Sequence, residues 1–224
     1  MVRSALGVLI LGILFLFVAA TPVMATSGGE VLSFQGLGDL TPVGNFYNGG
    51  GLSGTPNYGI TFSSNFIGLR SVYSGGSGAF SPSPTGTPAI FVNGANGASV
   101  TGIMNATNGF SSGIQFFYTA GFSETVTVWS GSNGTGTVLA TIALSPNNGT
   151  CSSFPTYCNW STAGLNFKGT AKSVTITGTA DGIGISDITI GSSATAIPEP
   201  SNFYLLGTGL VGVSLGQLRR FLKF

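Results

Sequence analysis

The chain has 224 residues, of which 6% are charged and 42% hydrophobic, with a net charge of +1 and 37 glycines. So high an apolar content at so low a net charge excludes a disordered chain, and the few scattered cations exclude a basic nucleic-acid binder. Histidine is absent, which removes Ser-His-Asp and Cys-His nucleophiles and every histidine-containing zinc site.

The N-terminus carries Arg3 and an unbroken apolar run over residues 6–20, then Pro22-Val23-Met24-Ala25. Val23 and Ala25 fit the −3 and −1 positions of a signal peptidase site, so residues 1–25 are predicted to be a signal peptide cleaved after Ala25. An uncleaved anchor is the alternative. The short run and the helix-breaking Pro22 favour cleavage.

Residues 26–196 are predicted to form one exported domain. Its acids are Glu30, Asp39, Glu124, Asp181 and Asp187, and its bases are Arg70, Lys168 and Lys172. Short alternating runs such as Tyr58/Ile60/Phe62, Ile114/Phe116/Tyr118 and Val126/Val128 are separated by Asn-Gly turn signals. This pattern predicts an all-β fold, an antiparallel two-sheet sandwich or jelly roll. Eleven strands are expected, near 30–35, 57–63, 66–73, 89–93, 99–104, 113–119, 124–130, 137–144, 163–168, 171–177 and 183–190.

Residues 36–57 read as the longest structureless stretch, too long and too aromatic for an idle connection. Phe46 and Tyr47 either plug one end of the sandwich or contact a ligand. With Tyr58, Trp129 and Trp160 they are the candidate ligand contacts, because flat aromatic faces suit sugar rings. Glu124, at the start of a strand, is expected to be exposed.

Cys151 and Cys158 are the only cysteines, and an even count in an exported chain favours a disulfide over two reduced thiols. Further on, Ile183/Ile185 and Ile188/Ile190 lie on opposite parities. A bulge at Ser186-Asp187 would return both pairs to one face. A carboxylate beside such a bulge resembles the structural calcium position of several carbohydrate-binding modules. That resemblance implies Glu30 as the partner acid and calcium as a structural ion; acceptance of hydrogen bonds by Asp187 is the alternative. No other cofactor is expected.

The tail places Pro198-Glu199-Pro200 before the uncharged residues 201–218, with Arg219, Arg220 and Lys223 behind them. Eighteen helical residues span about 27 Å, enough for a hydrocarbon core, and the cations behind orient the end to the cytoplasm. Pro198-Glu199-Pro200-Ser201, the apolar span and Arg219-Arg220 together resemble the PEP-CTERM sorting signal of Gram-negative bacteria. The segment Val43–Gly50 followed by Tyr58–Phe62 is similar to one that recurs near the N-terminus of PEP-CTERM domains. The resemblance implies signal peptidase and a membrane exosortase as processing partners. It also implies a transient inner-membrane anchor at residues 197–224 and a final place at the cell surface, in the exopolysaccharide or biofilm matrix. A simple single-pass anchor is the alternative reading of the tail. Phe221, Leu222 and Phe224 dilute the basic end, a departure from the plain Arg run of many members.

For the domain itself the expectation is a non-enzymatic matrix protein. The alternatives are a carbohydrate-binding module that uses exposed aromatics and, behind it, a glycan-active hydrolase. Nucleic acid is not an expected partner.

Overall fold

The computed structural model describes residues 29–192. The predicted signal peptide with its cleavage after Ala25, the Pro198-Glu199-Pro200 motif, the span 201–218 and the basic Arg219, Arg220 and Lys223 lie outside the described residues.

Within them the chain forms an all-β, two-sheet antiparallel sandwich. The twelve strands are β1 (Glu30–Leu32), β2 (Thr41–Pro42), β3 (Ile60–Phe62), β4 (Phe66–Leu69), β5 (Ala89–Val92), β6 (Ser99–Phe110), β7 (Gly113–Ala120), β8 (Glu124–Trp129), β9 (Val138–Leu144), β10 (Ser161–Asn166), β11 (Ala171–Thr179) and β12 (Ile183–Ile190). One sheet has seven strands in the order β10-β7-β12-β5-β4-β2, with β1 also paired to β12. The other has five, in the order β3-β6-β11-β8-β9.

Period-2 alternation decides which side chains meet between the sheets. In β8, Val126 and Val128 are fully buried, while Thr125, Thr127 and Trp129 face outward. Met104 and Ala106 of β6, and Val174 and Ile176 of β11, join the same core. In β12 the register against β7 shifts between Ser186 and Thr189, and Asp187 takes a left-handed φ of 51°. Ile183, Ile185, Ile188 and Ile190 consequently all reach the core.

Several boundaries differ from the sequence reading, each for a long-range reason. The predicted strand 66–73 stops at Leu69, because the Arg70 N–H donates to the Asp39 carboxylate (2.7 Å) instead of to a strand partner. Residues Val72–Ser74 then turn as a short 3₁₀ helix. The strand predicted for 99–104 continues to Phe110, supported by β3 on one side and β11 on the other. The stretch 36–57 is not structureless. It holds β2, paired to β4, and a chain of turns in which Asn45 O accepts from both Asn48 N and Gly50 N. Gly49, at the end of the Asn48-Gly49 turn signal, takes a φ of 82°, a conformation that glycine adopts without steric cost.

Cys151 and Cys158 are joined by a disulfide. Asn148 organises the loop it closes: its Oδ1 accepts from Cys158 N and Asn159 N (2.8 and 2.9 Å), and its Nδ2 donates to Thr119 Oγ1 (2.7 Å).

Candidate functional site

The segment from Ser33 to Pro56 borders three hollows on the domain surface. Phe34 and Leu37 anchor it by burying their side chains in the main core. Leu37 lies over Gly68 of β4, where any Cβ would come within 2.4 Å of Leu37 Cδ2. Tyr47 holds the segment from below, its phenol oxygen accepting from the Phe34 N–H at 2.6 Å. Burial pushes the Tyr47 hydroxyl up to about 12, against the opposing pull of that hydrogen bond.

Asp39 fastens the outer part. Its carboxylate accepts from Arg70 N (2.7 Å), Ser77 N (3.0 Å) and Ser77 Oγ (2.7 Å). Burial opposes ionisation, but these donors and the Arg70 charge outweigh it and hold the carboxyl below the ordinary aspartate range.

Beside these anchors lies a groove of about 370 Å³ whose polar lining includes Gln35, Arg70, Ser71, Ser74 and Thr87, with Pro82 and Pro88 supplying apolar faces. Arg70 reaches across to donate to Ser74 O at 3.0 Å. Tyr73, in the 3₁₀ turn between Ser71 and Ser74, is 62% exposed. Two further hollows, of about 310 and 390 Å³, flank the first and share Gly36 with it. Leu40 and Leu52 stand exposed on the same segment.

Asp187 adjoins the groove through Thr87. Its carboxylate accepts from Thr85, from Thr87 (3.1 Å) and from the Ser186 hydroxyl (2.7 Å). Glu30 pairs in register with Ile190, three residues further along β12. Among the described residues no three His, Cys, Asp or Glu side chains gather. The three hydroxyls give the Asp187 carboxylate the hydrogen-bonded setting of the alternative reading.

The aromatic candidates are dispersed. Phe46 and Tyr47 are buried in the core. Tyr58 is half-buried and stacks on Tyr47 with centroids 6.0 Å apart. Trp160 packs edge-on against Phe80 and donates Nε1–H to Ser81 O (2.9 Å) on the seven-stranded side. Trp129 stands on the outer face of the five-stranded sheet. Gln35, Arg70, Ser74 and Thr87 of the groove, and Tyr73 at the turn beside it, carry no motif or spacing that marks them in the sequence. Arg70 alone carried a hint, as the one arginine between residues 26 and 196.

Glu124 corrects an expectation: it is 2% exposed, not solvent-facing. Its carboxyl is pressed against Gly178 and Gly182, sites where a Cβ would sit 1.6 and 2.5 Å from its oxygens, and it accepts one backbone hydrogen bond from Thr179 N (3.2 Å). Burial raises its pKa, and the Thr179 N–H only partly offsets this. A carboxyl raised in the folded state contributes full stability below its unfolded value, and this is lost as pH rises through the folded value. Glu124→Gln is therefore expected to melt higher than the parent at neutral pH. The difference should vanish near pH 4, about the ordinary glutamate value. Thermal melts across that range are the check, and a difference independent of pH would contradict the assignment.

No protein-family model matches the chain, and neither does any curated protein. Among solved structures it is similar to a family 29 carbohydrate-binding module (16% identity, 78% of this chain and 97% of that one, TM-score 0.42). It is also similar to a family 6 carbohydrate-binding module (19% identity, 59% and 87% coverage, TM-score 0.35). A CBM6 module from Clostridium stercorarium in complex with cellobiose gives 19% identity, 58% and 83% coverage and a TM-score of 0.34. All three likenesses are distant.

Proposed function

We propose that this is an exported, non-catalytic glycan-binding protein of the bacterial cell surface or exopolysaccharide matrix. The observation that carries this reading is the groove beside the Ser33–Pro56 segment. Its lining combines neutral donors and acceptors, one cation and proline faces, with exposed Tyr73 at the adjoining turn. Sugar rings are bound by such sets: hydroxyls pair with amide, hydroxyl and guanidinium groups, while C–H faces lie on apolar or aromatic surface. No carboxylate is among the groove-lining residues, whereas glycoside hydrolysis needs two facing one another. This supports binding without turnover.

Delivery follows from the tail. Pro198-Glu199-Pro200, the apolar span and Arg219, Arg220 and Lys223 support sorting through signal peptidase and an exosortase, with the anchor removed at the surface. The producer's own exopolysaccharide is the natural first ligand to test.

One preparation tests both halves. Protein released from the producer's surface should give no peptide from residues 211–224 by mass spectrometry, and recovery of the whole tail would remove the sorting reading. The same protein should be retained on immobilised exopolysaccharide, with Arg70→Ala/Tyr73→Ala weakening retention at least about tenfold, or 1.4 kcal/mol. Arg70 and Tyr73 are both exposed, so the variant should melt near the parent. Steady hydrolysis of the polysaccharide would overturn the non-catalytic reading.

A further inference from the structure

The outer face of the five-stranded sheet has a regularity that the groove does not use. Cross-strand register aligns Thr101, Thr177 and Thr125 in one row and Thr175, Thr127 and Thr141 in the next. Neighbouring strands lie about 4.8 Å apart, so the rows form a grid of hydroxyl and methyl groups; Thr175 is buried, with Gly134 against its methyl, and the other five threonines are open or partly open to solvent. Trp129 borders it: its half-buried indole reaches diagonally across the sheet, and Nε1–H donates to Thr175 Oγ1 at 2.9 Å. On the neighbouring strand and loop, Asn105 Nδ2 donates to Asn133 Oδ1 at 2.8 Å, presenting paired amides.

The five strands carry just two ionisable groups that are charged at neutral pH in water. Glu124 is buried, and the Lys172 ammonium is turned to Thr107 O at 2.9 Å. A face of hydroxyls and amides beside an indole, with the single ammonium of Lys172 bonded at its margin, is complementary to a neutral, polyhydroxylated chain and lacks the row of cations that an acidic polymer or a nucleic acid needs. The lining of the groove includes no residue of these five strands.

We infer that the domain carries a second saccharide site on this sheet face, centred on Trp129, for a neutral polysaccharide, and so cross-links glycan chains between face and groove. The inference rests on the glycan-binding reading above but concerns a separate surface. Two sites on one rigid body convert weak single contacts into avid attachment to a polymer.

The full chain carrying Trp160→Phe retains Trp129 as its only tryptophan. Added soluble exopolysaccharide should shift its emission to the blue, and should still do so when Arg70→Ala/Tyr73→Ala is present. In affinity gels, Trp129→Ala and the groove variant should each lose part of the retardation, and their combination all of it. The parent should precipitate or thicken the polysaccharide, whereas either variant alone should not. Trp129→Phe, which keeps the ring and loses the Nε1–H bond, separates stacking from sheet stability and should retain at least half of the face's contribution. If the groove variant alone abolishes binding and Trp129 emission never moves, the second site is wrong and the glycan-binding reading survives. If the parent binds no exopolysaccharide, the glycan-binding reading itself falls, and this site with it.

Discussion

Phe66→Ala is expected to cost about 3–5 kcal/mol, the usual penalty for emptying a fully buried phenylalanine site. Phe66 is 0% exposed and meets Phe62 edge-to-face at 5.3 Å. Across from it lies Gly102 of β6, where a Cβ would fall 2.5 Å from the Phe66 ring and 2.9 Å from Val92. The absence of a side chain at Gly102 is what admits the ring between the sheets. Truncation leaves a void that the hydrogen-bonded strands around it close only in part. The melting temperature should fall by roughly 10 °C, at about 2–4 °C per kcal/mol for a domain of this size. Gly102→Ala alone should destabilise through overpacking. In the double variant the added methyl enters the void, so the two penalties should sum to more than the measured loss. A Phe66→Ala loss below about 1 kcal/mol, or strict additivity, would show that the two residues do not share this space.

Tyr47→Phe should lower stability by about 1–3 kcal/mol, because it strips the partner from a buried backbone N–H while keeping the ring. That N–H belongs to Phe34, itself fully buried and held at a left-handed φ of 56°. The Tyr47 ring also packs edge-on against Phe34 and Phe46, so the phenylalanine variant isolates the hydroxyl from the stacking. The consequence should extend to function. Phe34 immediately precedes Gln35 and Gly36, which line the groove, so loosening it should weaken groove binding without touching Trp129. Hydrogen exchange should show faster opening across residues 33–38, while the five-stranded sheet keeps its protection. Unchanged exchange there, with unchanged stability, would show that the Tyr47 hydroxyl is not holding the segment.

Legibility varied with the range of the cause. The sandwich class, the core alternation of Val126/Val128 and the disulfide could be read directly, because strand periodicity and cysteine chemistry act within a few residues. The phase change from Ile183/Ile185 to Ile188/Ile190 even located the bulge. The buried state of Glu124 could not be read. It depends on Gly178 and Gly182, more than fifty residues away, and a glutamate at a strand start is ordinarily exposed. The aromatic candidates show the same limit. Composition supplied the rings, but their partners decided that Phe46 and Tyr47 face the core while Trp129 faces out.

By itself, then, the sequence determined an all-β chain without histidine chemistry and with its two cysteines in one short loop. The proposal of export and sorting rests on the sequence alone, through the resemblance of residues 198–224 to a sorting signal. Only the tertiary structure decided where a ligand can sit. The groove exists because Asp39 bonds residues 31 and 38 positions away, and because Thr87 meets Asp187 across 100 residues. The threonine rows exist because three separate strand pairings fall into one register. Local patterning sets which way a side chain points; which other side chains it meets is set by chain closure over long loops, and no short window of residues encodes that.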